Sequence, residues 1–359
     1  MTRRLDMLVP HWDETPDEMR PLLDSIAIQQ SIDFADVGVI IAYDGPDATA
    51  LPLDEWRERY PFAIEDVHPE KGGVSATRNA ALDASEAEFV IFADADDMLL
   101  TVNALYTVLQ LTETNPFDTL VSCFMEEQKT DDVREKMAQG SKVLEATFGP
   151  QYRAQELPEF MYIPHEMDST FVHGKVHRRS YLIDRNIRFD PRLTVHEDSY
   201  FNILAQQLCD PDRAKYWPQP FYLWKWRDNS VCRHDPQYLL KTFNNMLQTT
   251  DALIDQFVKR GYEEKAKAFT ASTVYDTYYT MNKPEWTQVN NAEYRRSTEA
   301  EFARWFEKHH WKWDALDPQV RMVISEQQRQ RHVAEGMLSE ALTIEQWLGE
   351  ITGKRTEVA

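Results

Sequence analysis

Short apolar runs alternate with amphipathic stretches over the first 125 residues, and this alternation limits the possible folds more than any other feature. Residues 5–10, 37–43 and 88–93 read LDMLVP, VGVIIAY and EFVIFA, which are runs of the length of buried strands. Residues 75–84 and 101–114 have the apolar spacing of helices. Strands and helices in strict alternation are typical of a parallel sheet with crossover helices. We therefore predict an α/β fold for this part of the chain.

Two further elements extend the pattern. Thr15 is followed by Pro16 and Glu18, and this capping-box sequence predicts a helix that begins directly after Thr15. Residues 119–125 form another apolar strand, whereas residues 126–168 are polar and irregular and suggest a long loop region.

The pattern changes to long helical stretches after residue 235. Helices are expected near residues 236–259, 262–281, 291–309, 316–335 and 343–350. The chain is therefore predicted to contain two domains. An α/β domain would occupy residues 1–235, and a helical domain would occupy residues 236–359.

The negative charge of the chain is concentrated in the predicted α/β domain. The formal net charge is −21, and residues 236–359 contain 16 basic and 18 acidic residues, so residues 1–235 carry a net charge of −19. This surface should repel the phosphates of nucleic acid and anionic lipid, except at a local basic cleft. The three cysteines match no metal-binding spacing, and no apolar run reaches the ~20 residues of a membrane span. A cytoplasmic protein without a transmembrane segment is expected.

Polar residues follow three of the predicted strands. Asp94 and Asp96 come directly after residues 88–93, and Pro10–Asp13 and Asp44-Gly45 end the other two runs. In open α/β sheets, ligands bind beyond the carboxyl ends of the strands. Two carboxylates one residue apart can bind Mg²⁺ or Mn²⁺ and leave positions open for phosphate. An ordinary turn or helix cap is the alternative that this pattern alone leaves open.

Two other segments carry candidate functional groups at predicted helix starts. Lys71 and Arg78 flank a Gly-Gly pair and a helix start whose free N–H groups favour an anion, although an ordinary glycine-rich turn remains an alternative. Glu197 and Asp198 open another amphipathic helix. A carboxylate at that place could act as a general base, or it could only favour the helix dipole.

Taken in order, these segments resemble the inverting family 2 glycosyltransferases with a GT-A fold. VIIAYDGPDAT is similar to that family's strand and Asp-Asp-Gly-Ser turn. GGVSATRNAALDASEAEFVIFADADDML resembles its Gly-x-Ser-x-Ala-Arg-Asn helix and its Asp-x-Asp strand end. GKVHRRSYLIDRNIRFDPRLTVHEDSYF is similar to its acceptor-side segment ending in Glu-Asp. The resemblance covers residues 5–234 and implies a Rossmann-like GT-A domain with a mixed sheet, followed by the helical domain.

The resemblance also implies roles for the matching residues. Asp198 would be the catalytic base, and Asp94 and Asp96 would hold Mn²⁺ or Mg²⁺, with Asp94 also facing the ribose. The nucleotide-sugar would be bound by Pro10, Asp44, Lys71, Arg78, Asp94 and Arg227. His173 and His234 are further candidates for metal or phosphate contacts.

The sequence departs from the family pattern in the turn after residues 37–43. Tyr43 stands where the family has the first Asp, and Pro46 stands where it has Ser. These two changes affect the segment that would contact the base, and therefore the choice of nucleotide.

The implied activity is metal-dependent, inverting transfer of a sugar from a nucleotide-diphosphate sugar, with UDP as the expected nucleotide, to an acceptor hydroxyl. The acceptor stays open among a glycan, a polyol phosphate, a lipid-linked sugar, a protein and a modified DNA base. A nucleotide-sugar-forming nucleotidyltransferase and a non-catalytic sugar-binding protein are the alternatives. The helical domain could pack on the α/β domain, form a homo-oligomer or hold the acceptor.

Overall fold

A computed structural model describes residues 3–126, 170–225, 238–281, 292–334 and 343–353. The chain divides into two compact units. The first, here the α/β unit, comprises Met1–Glu159 and Ile163–Asp228. The second, here the helical unit, comprises Phe160–Tyr162 and Asn229–Ala359. The domain boundary at residue 235 stays a prediction, and the expected loop region lies almost wholly outside the described residues.

The described strands of the α/β unit form one mixed sheet. They are β1 (Leu5–His11), β2 (Val37–Tyr43), β3 (Ala63–Val67), β4 (Phe89–Phe92), β5 (Met98–Leu99), β6 (Thr119–Glu126), β7 (Lys175–Arg178) and β8 (Ala214–Trp224). Their order in the sheet is β3-β2-β1-β4-β7-β6-β8-β5. The first four strands are parallel, β7 is antiparallel to both of its neighbours, and β5 is antiparallel to β8. The predicted mixed α/β sheet is confirmed.

Helices connect these strands as expected. They are α1 (Pro16–Ala27), α2 (Leu53–Arg59), α3 (Gly73–Ala84), α4 (Ala104–Thr114), α5 (Arg179–Asp184) and α6 (Glu197–Gln207). Both hydrogen bonds of the predicted capping box form between Thr15 and Glu18 at the start of α1. The sequence pattern does not predict α2 and β3. Both are short, and in β3 only Ile64 is buried, so this strand lacks the continuous apolar run of the central strands.

The core of the α/β unit lies around the central strands. Every residue of β2 and β4 is buried, and in β1 only Pro10 is partly exposed. Both sheet faces are therefore covered, which is why these strands read as continuous apolar runs. From α1, the buried side chains Met19, Leu22, Leu23 and Ile26 belong to the same core cluster.

The helical unit contains the five helices that the sequence predicts. They are α7 (Tyr238–Lys259), α8 (Glu263–Met281), α9 (Ala292–Asp314), α10 (Pro318–Ala334) and α11 (Ile344–Thr352). Phe257, Phe302 and Trp347 are among its buried aromatic residues, and the ring centroids of Phe302 and Trp347 lie 5.1 Å apart. Among the helices of the described ranges, none combines the length and the apolarity needed to span a membrane.

Candidate active site

Three neighbouring strands carry the candidate site at one edge of the sheet. β2, β1 and β4 are adjacent and parallel, so their carboxyl ends meet at the same edge. The Pro10–Asp13, Asp44-Gly45 and Asp94–Asp97 segments all lie at these ends. The order of the strands therefore brings the three polar segments together, as expected.

Arg78 joins the acidic strand end to the start of α6. Its Nη2 donates a hydrogen bond to Asp94 Oδ1 at 2.8 Å, and its Nη1 donates to Glu197 Oε1 at 2.9 Å. The guanidinium group is buried and lies 5.3 Å from the ring centroid of Phe189. Burial opposes the charged form, but Asp94 and Glu197 raise the pKa of Arg78 above its ordinary value. A permanent positive charge therefore holds the two acidic segments together.

Asp198 lies beside this ion-pair cluster, on the first turn of α6. His196, the residue before the helix, has a left-handed backbone (φ 62°), which costs roughly 1–2 kcal/mol for a non-glycine residue and is a form of strain often found at functional sites. The Ser199 N–H donates to Asp198 Oδ1 at 2.7 Å. Desolvation and the nearby Glu197 charge raise the pKa of Asp198 to about 7, although Arg78 favours the charged form. A carboxyl group with this pKa can exchange a proton near neutral pH.

Asp97 is the most buried carboxyl group of the acidic segment. The Tyr222 hydroxyl donates to Asp97 Oδ2 at 2.6 Å and accepts the Asp94 N–H at 3.0 Å, while the Lys225 N–H donates to Asp97 Oδ1 at 2.8 Å. Burial and the charges of Asp94 and Asp96 raise the pKa of Asp97 well above its ordinary value. β8 therefore fixes the conformation of the acidic segment through Tyr222.

The donor set of this segment fits a divalent cation. Ligand atoms of Asp94, Asp97 and His173 all lie within 4.8 Å of one another, and His173 Nδ1 is 3.6 Å from Asp97 Oδ2. Carboxylate oxygens are ligands that hard divalent cations such as Mg²⁺ and Mn²⁺ accept. Asp94 and His173 were sequence candidates, whereas Asp97 was missed because nothing in the sequence separates it from its acidic neighbours. The partly exposed Asp96 stays a predicted ligand.

The hydroxyl of Tyr222 should be required for the order of this acidic segment. We expect Tyr222→Phe to lower the free energy of unfolding by about 1–3 kcal/mol, because the change leaves buried hydrogen-bonding groups at Asp94 and Asp97 without their partner. Urea denaturation of the variant measures the effect. Tyr106→Phe, at a tyrosine that is 40% exposed on α4, is the control and should change stability little. Equal stability of the two variants would contradict this role.

The predicted base-binding segment is ordered by backbone contacts. Asp44 Oδ1 accepts hydrogen bonds from the Gly72 and Gly73 N–H groups, both at 2.9 Å, and so links the end of β2 to the start of α3. Gly45 has φ 86°, and a Cβ there would approach Lys71 Cβ to 2.7 Å, so only glycine fits this turn. Asp44 lies beside the end of β1, because its N–H donates to the His11 carbonyl. Lys71 lies against the neighbouring Gly45, so the structure brings Asp44 and Lys71 together.

Aromatic rings line the same strand ends. Lys71 Nζ lies 3.6 Å from the ring centroid of Trp12, and Tyr43 stacks on His68 with ring centroids 4.5 Å apart. Tyr43 is the residue that departs from the family turn, and its ring packing gives it a structural role at this place. Arg227 and His234 lie outside the described residues. The functional roles of Pro10, Asp44, Lys71, Arg78, Asp94, Asp96, Asp198 and Arg227 stay predictions.

Comparisons with known proteins agree on one family. Residues 6–172 match the family described as Glycosyl transferase family 2. The chain is 25% identical over 232 residues to the uncharacterized glycosyltransferase EpsJ of Bacillus subtilis, covering 63% of this chain and 62% of EpsJ. It is 25% identical over 206 residues to the poly(ribitol-phosphate) beta-N-acetylglucosaminyltransferase TarS of Staphylococcus aureus, covering 56% of this chain and 32% of TarS. The chain thus spans less than two thirds of the length of each of these relatives.

Solved structures agree in fold. The crystal structure of S. aureus TarS residues 1–349 matches with a TM-score of 0.59 at 15% identity, covering 94% of this chain and 93% of that one. The mannosyltransferase PcManGT from Pyrobaculum calidifontis, in complex with GDP-Man and Mn²⁺, matches with a TM-score of 0.50 at 14% identity, covering 93% and 88%. The predicted fold class, a GT-A domain followed by a helical domain, is confirmed by this likeness. Residues 6–172 of the chain thus resemble glycosyl transferase family 2, and this matching region holds the three strand ends of the candidate site.

Proposed function

We propose that this chain is a metal-dependent inverting glycosyltransferase that moves a sugar from a nucleotide-diphosphate sugar, with UDP as the nucleotide, to an acceptor hydroxyl. The observation that carries the proposal is the pair of hydrogen bonds from Arg78 to Asp94 and to Glu197. Through these bonds the acidic strand end and the helix that bears Asp198 border one site. A donor phosphate and an acceptor hydroxyl could therefore be held on either side of one sugar.

The ligands of the relatives support the choice of donor. TarS, the relative with the higher TM-score, has been solved with UDP and with UDP-GlcNAc. PcManGT has been solved with GDP-Man and Mn²⁺. These complexes favour a nucleotide-diphosphate sugar for this chain. We propose UDP as the nucleotide because the fold likeness to TarS is the closer of these two.

In the proposed reaction, Asp198 accepts the proton of the acceptor hydroxyl as its oxygen attacks the anomeric carbon. The nucleoside diphosphate leaves from the opposite face of the sugar, so the configuration at this carbon inverts. A divalent cation held by Asp94 and Asp96, with Asp97 and His173 as further candidate ligands, would neutralise charge on the departing diphosphate. Lys71 would add a positive charge on the nucleotide side, and Arg78 would keep Asp94 and Glu197 in position.

A product assay separates this function from its alternatives. The full chain is incubated with UDP-sugars and Mn²⁺, and the released products are identified. Release of UDP supports glycosyl transfer or donor hydrolysis, since water can replace the acceptor. Release of pyrophosphate from a sugar phosphate and a nucleoside triphosphate would instead identify a nucleotidyltransferase. Donor binding without turnover, in the presence of a broad acceptor mixture, would indicate a sugar-binding protein.

The metal ligands have a separate test. We expect Asp94→Ala and Asp96→Ala each to abolish the Mn²⁺-dependent part of UDP binding, because these carboxylates would hold the cation that neutralises the diphosphate. Isothermal titration calorimetry with and without Mn²⁺ measures this part. Asp54→Ala, at a fully exposed side chain on α2, is the matched control and should bind as the unaltered chain does. Unchanged titrations for both site variants would reject the predicted ligands.

A further inference from the structure

A buried histidine joins two loops at the nucleotide end of the candidate site. His11 is the last residue of β1, and its side chain is fully buried. Its Nε2 lies 2.7 Å from the Thr49 carbonyl oxygen, and its Nδ1 lies 3.1 Å from Glu14 Oε2. Thr49 belongs to the loop after β2, whereas Glu14 belongs to the segment between β1 and α1. We call these two contacts of the His11 ring the His11 bridge.

Both ring nitrogens of His11 face groups that accept hydrogen bonds. A carbonyl oxygen has no proton to donate, so Nε2 must carry one. Burial disfavours the charged form of Glu14, but the hydrogen bonds from His11 and from the Trp12 N–H hold the pKa of Glu14 below its ordinary value. An ionised carboxylate is also only an acceptor, so Nδ1 must carry a proton as well. The two contacts therefore coexist only when His11 is an imidazolium ion.

Backbone hydrogen bonds surround the His11 bridge. Glu14 Oε2 also accepts the Trp12 N–H at 3.0 Å, and the Trp12 carbonyl accepts the Thr49 N–H at 2.7 Å. The carbonyl of His11 itself accepts the Asp44 N–H at 2.8 Å. Asp44 is a predicted nucleotide-sugar ligand at the start of the same loop. The charge of one buried ring therefore bears on the placement of a loop that is expected to contact the nucleotide.

We propose that His11 is a positioning residue whose protonated ring holds the loop after β2 in the conformation that binds the nucleotide. When the pH rises and one ring proton leaves, a lone pair of the ring faces either the Thr49 oxygen or the Glu14 carboxylate, and that contact is lost. Order in the loop and affinity for the donor should therefore both decrease as the pH increases. The inference rests on the proposed function, because it concerns the nucleotide end of that site.

Further titratable groups near the His11 ring lie on β2 and directly after β3. The Tyr43 ring is edge-on to His11 with ring centroids 4.9 Å apart, and it stacks in turn on His68. Burial raises the pKa of Tyr43, so its hydroxyl stays neutral near neutral pH. His68 is 60% exposed, and its Nε2 lies 2.6 Å from Asp66 Oδ2. As a second histidine at this end of the site, His68 is the rival explanation for a pH effect.

Calorimetry with UDP and Mg²⁺ tests the proposal from about pH 5 to about pH 8, the interval in which histidine side chains usually change charge. Over this interval the unaltered chain should lose roughly tenfold more UDP affinity than His11→Gln, because a hydrogen bond between charged groups is lost. Glutamine can still donate to Thr49, but it has no proton that titrates. The ionisation of Asp198 and of UDP is common to both proteins, so the difference isolates His11. His68→Gln should keep the pH dependence of the unaltered chain.

Hydrogen exchange followed by mass spectrometry gives a readout that needs no ligand. In the unaltered chain, residues 44–49 should exchange faster at the upper end of the pH interval, after correction for the intrinsic pH dependence of exchange. This increase should be absent in His11→Gln. Glu14→Gln, at a side chain that is 16% exposed, is a second variant in case the first does not fold. It should also flatten the increase, because an amide can donate to a ring nitrogen that carries no proton.

Two results would overturn the role of His11. They are an equal pH dependence of exchange in the unaltered chain and in both His11→Gln and Glu14→Gln, and a pH dependence that disappears in His68→Gln instead. Failure of the proposed function has a different signature. If none of these proteins binds UDP while residues 44–49 exchange as expected, the proposed nucleotide is rejected and the His11 bridge is supported.

Discussion

Asp198→Asn should lower the rate of sugar transfer by ~10²–10⁴-fold while donor binding stays intact, because asparagine keeps the shape of the side chain but cannot accept the proton. Initial rates with saturating donor measure the loss, and calorimetry with UDP measures donor binding. Asp54→Asn, on the exposed surface of α2, is the matched control and should keep the full rate. Wild-type turnover by the Asp198→Asn variant would exclude Asp198 as the base.

The raised pKa of Asp198 gives this assignment a second readout. A base must be unprotonated to act, so the rate should fall as the pH drops through about 7, and a cation bound nearby would move that fall to lower pH. The Asp54→Asn control should show the same profile as the unaltered chain. A rate that stays flat from neutral to acidic pH, down to the point of unfolding, would contradict a base with this pKa.

The same substitution should increase the stability of the fold although it decreases the rate of transfer. The pKa of Asp198 is higher in the folded state than in the unfolded state, so its ionisation destabilises the fold. This loss of stability is absent below the ordinary pKa of ~3.9, grows as the pH rises, and is complete above a pH of about 7. Asp198→Asn should therefore raise the thermal midpoint at alkaline pH more than at acidic pH. A variant that is inactive but more stable would separate a loss of chemistry from a loss of folding.

Arg78→Leu should have the largest effect on stability. Removing one member of a buried ion pair leaves uncompensated charge, and such losses typically cost about 3–5 kcal/mol. Transfer should also fall steeply, since Asp94 and Glu197 would no longer be held together. Urea denaturation and initial rates measure the two effects. Arg59→Leu, at an arginine that is 47% exposed and forms a surface ion pair with Asp24, should change the free energy of unfolding by less than about 1 kcal/mol.

Arg78→Lys tests whether geometry matters in addition to charge. Lysine keeps the positive charge but lacks the planar fork that donates to two carboxylates at once. We expect its stability to lie between those of the unaltered chain and Arg78→Leu, with a larger loss in rate than in donor binding. Full activity of Arg78→Lys would show that charge alone suffices at this position.

The sequence alone determined the elements whose pattern is local. Continuous apolar runs predicted β1, β2 and β4, because strands covered on both faces have no exposed positions to alternate with. The capping box at Thr15 fixed the start of α1, since its hydrogen bonds join residues three apart. Helical spacing predicted α7 to α11 in the same way. Where the pattern was weak, as in β3, no prediction was made.

Only the tertiary structure decided which charged groups meet. Nothing in the sequence indicates that the two hydrogen bonds of Arg78, a predicted nucleotide-sugar ligand, go to Asp94 and to Glu197, a residue 119 positions away. Asp97 is held by Tyr222, 125 positions away, and no local pattern marks either partner. The spacing of apolar residues indicates which face of a helix or strand is buried, because burial repeats with the period of that element. The choice of ion-pair and hydrogen-bond partners depends instead on how the sheet orders its strands, which is a property of the whole fold.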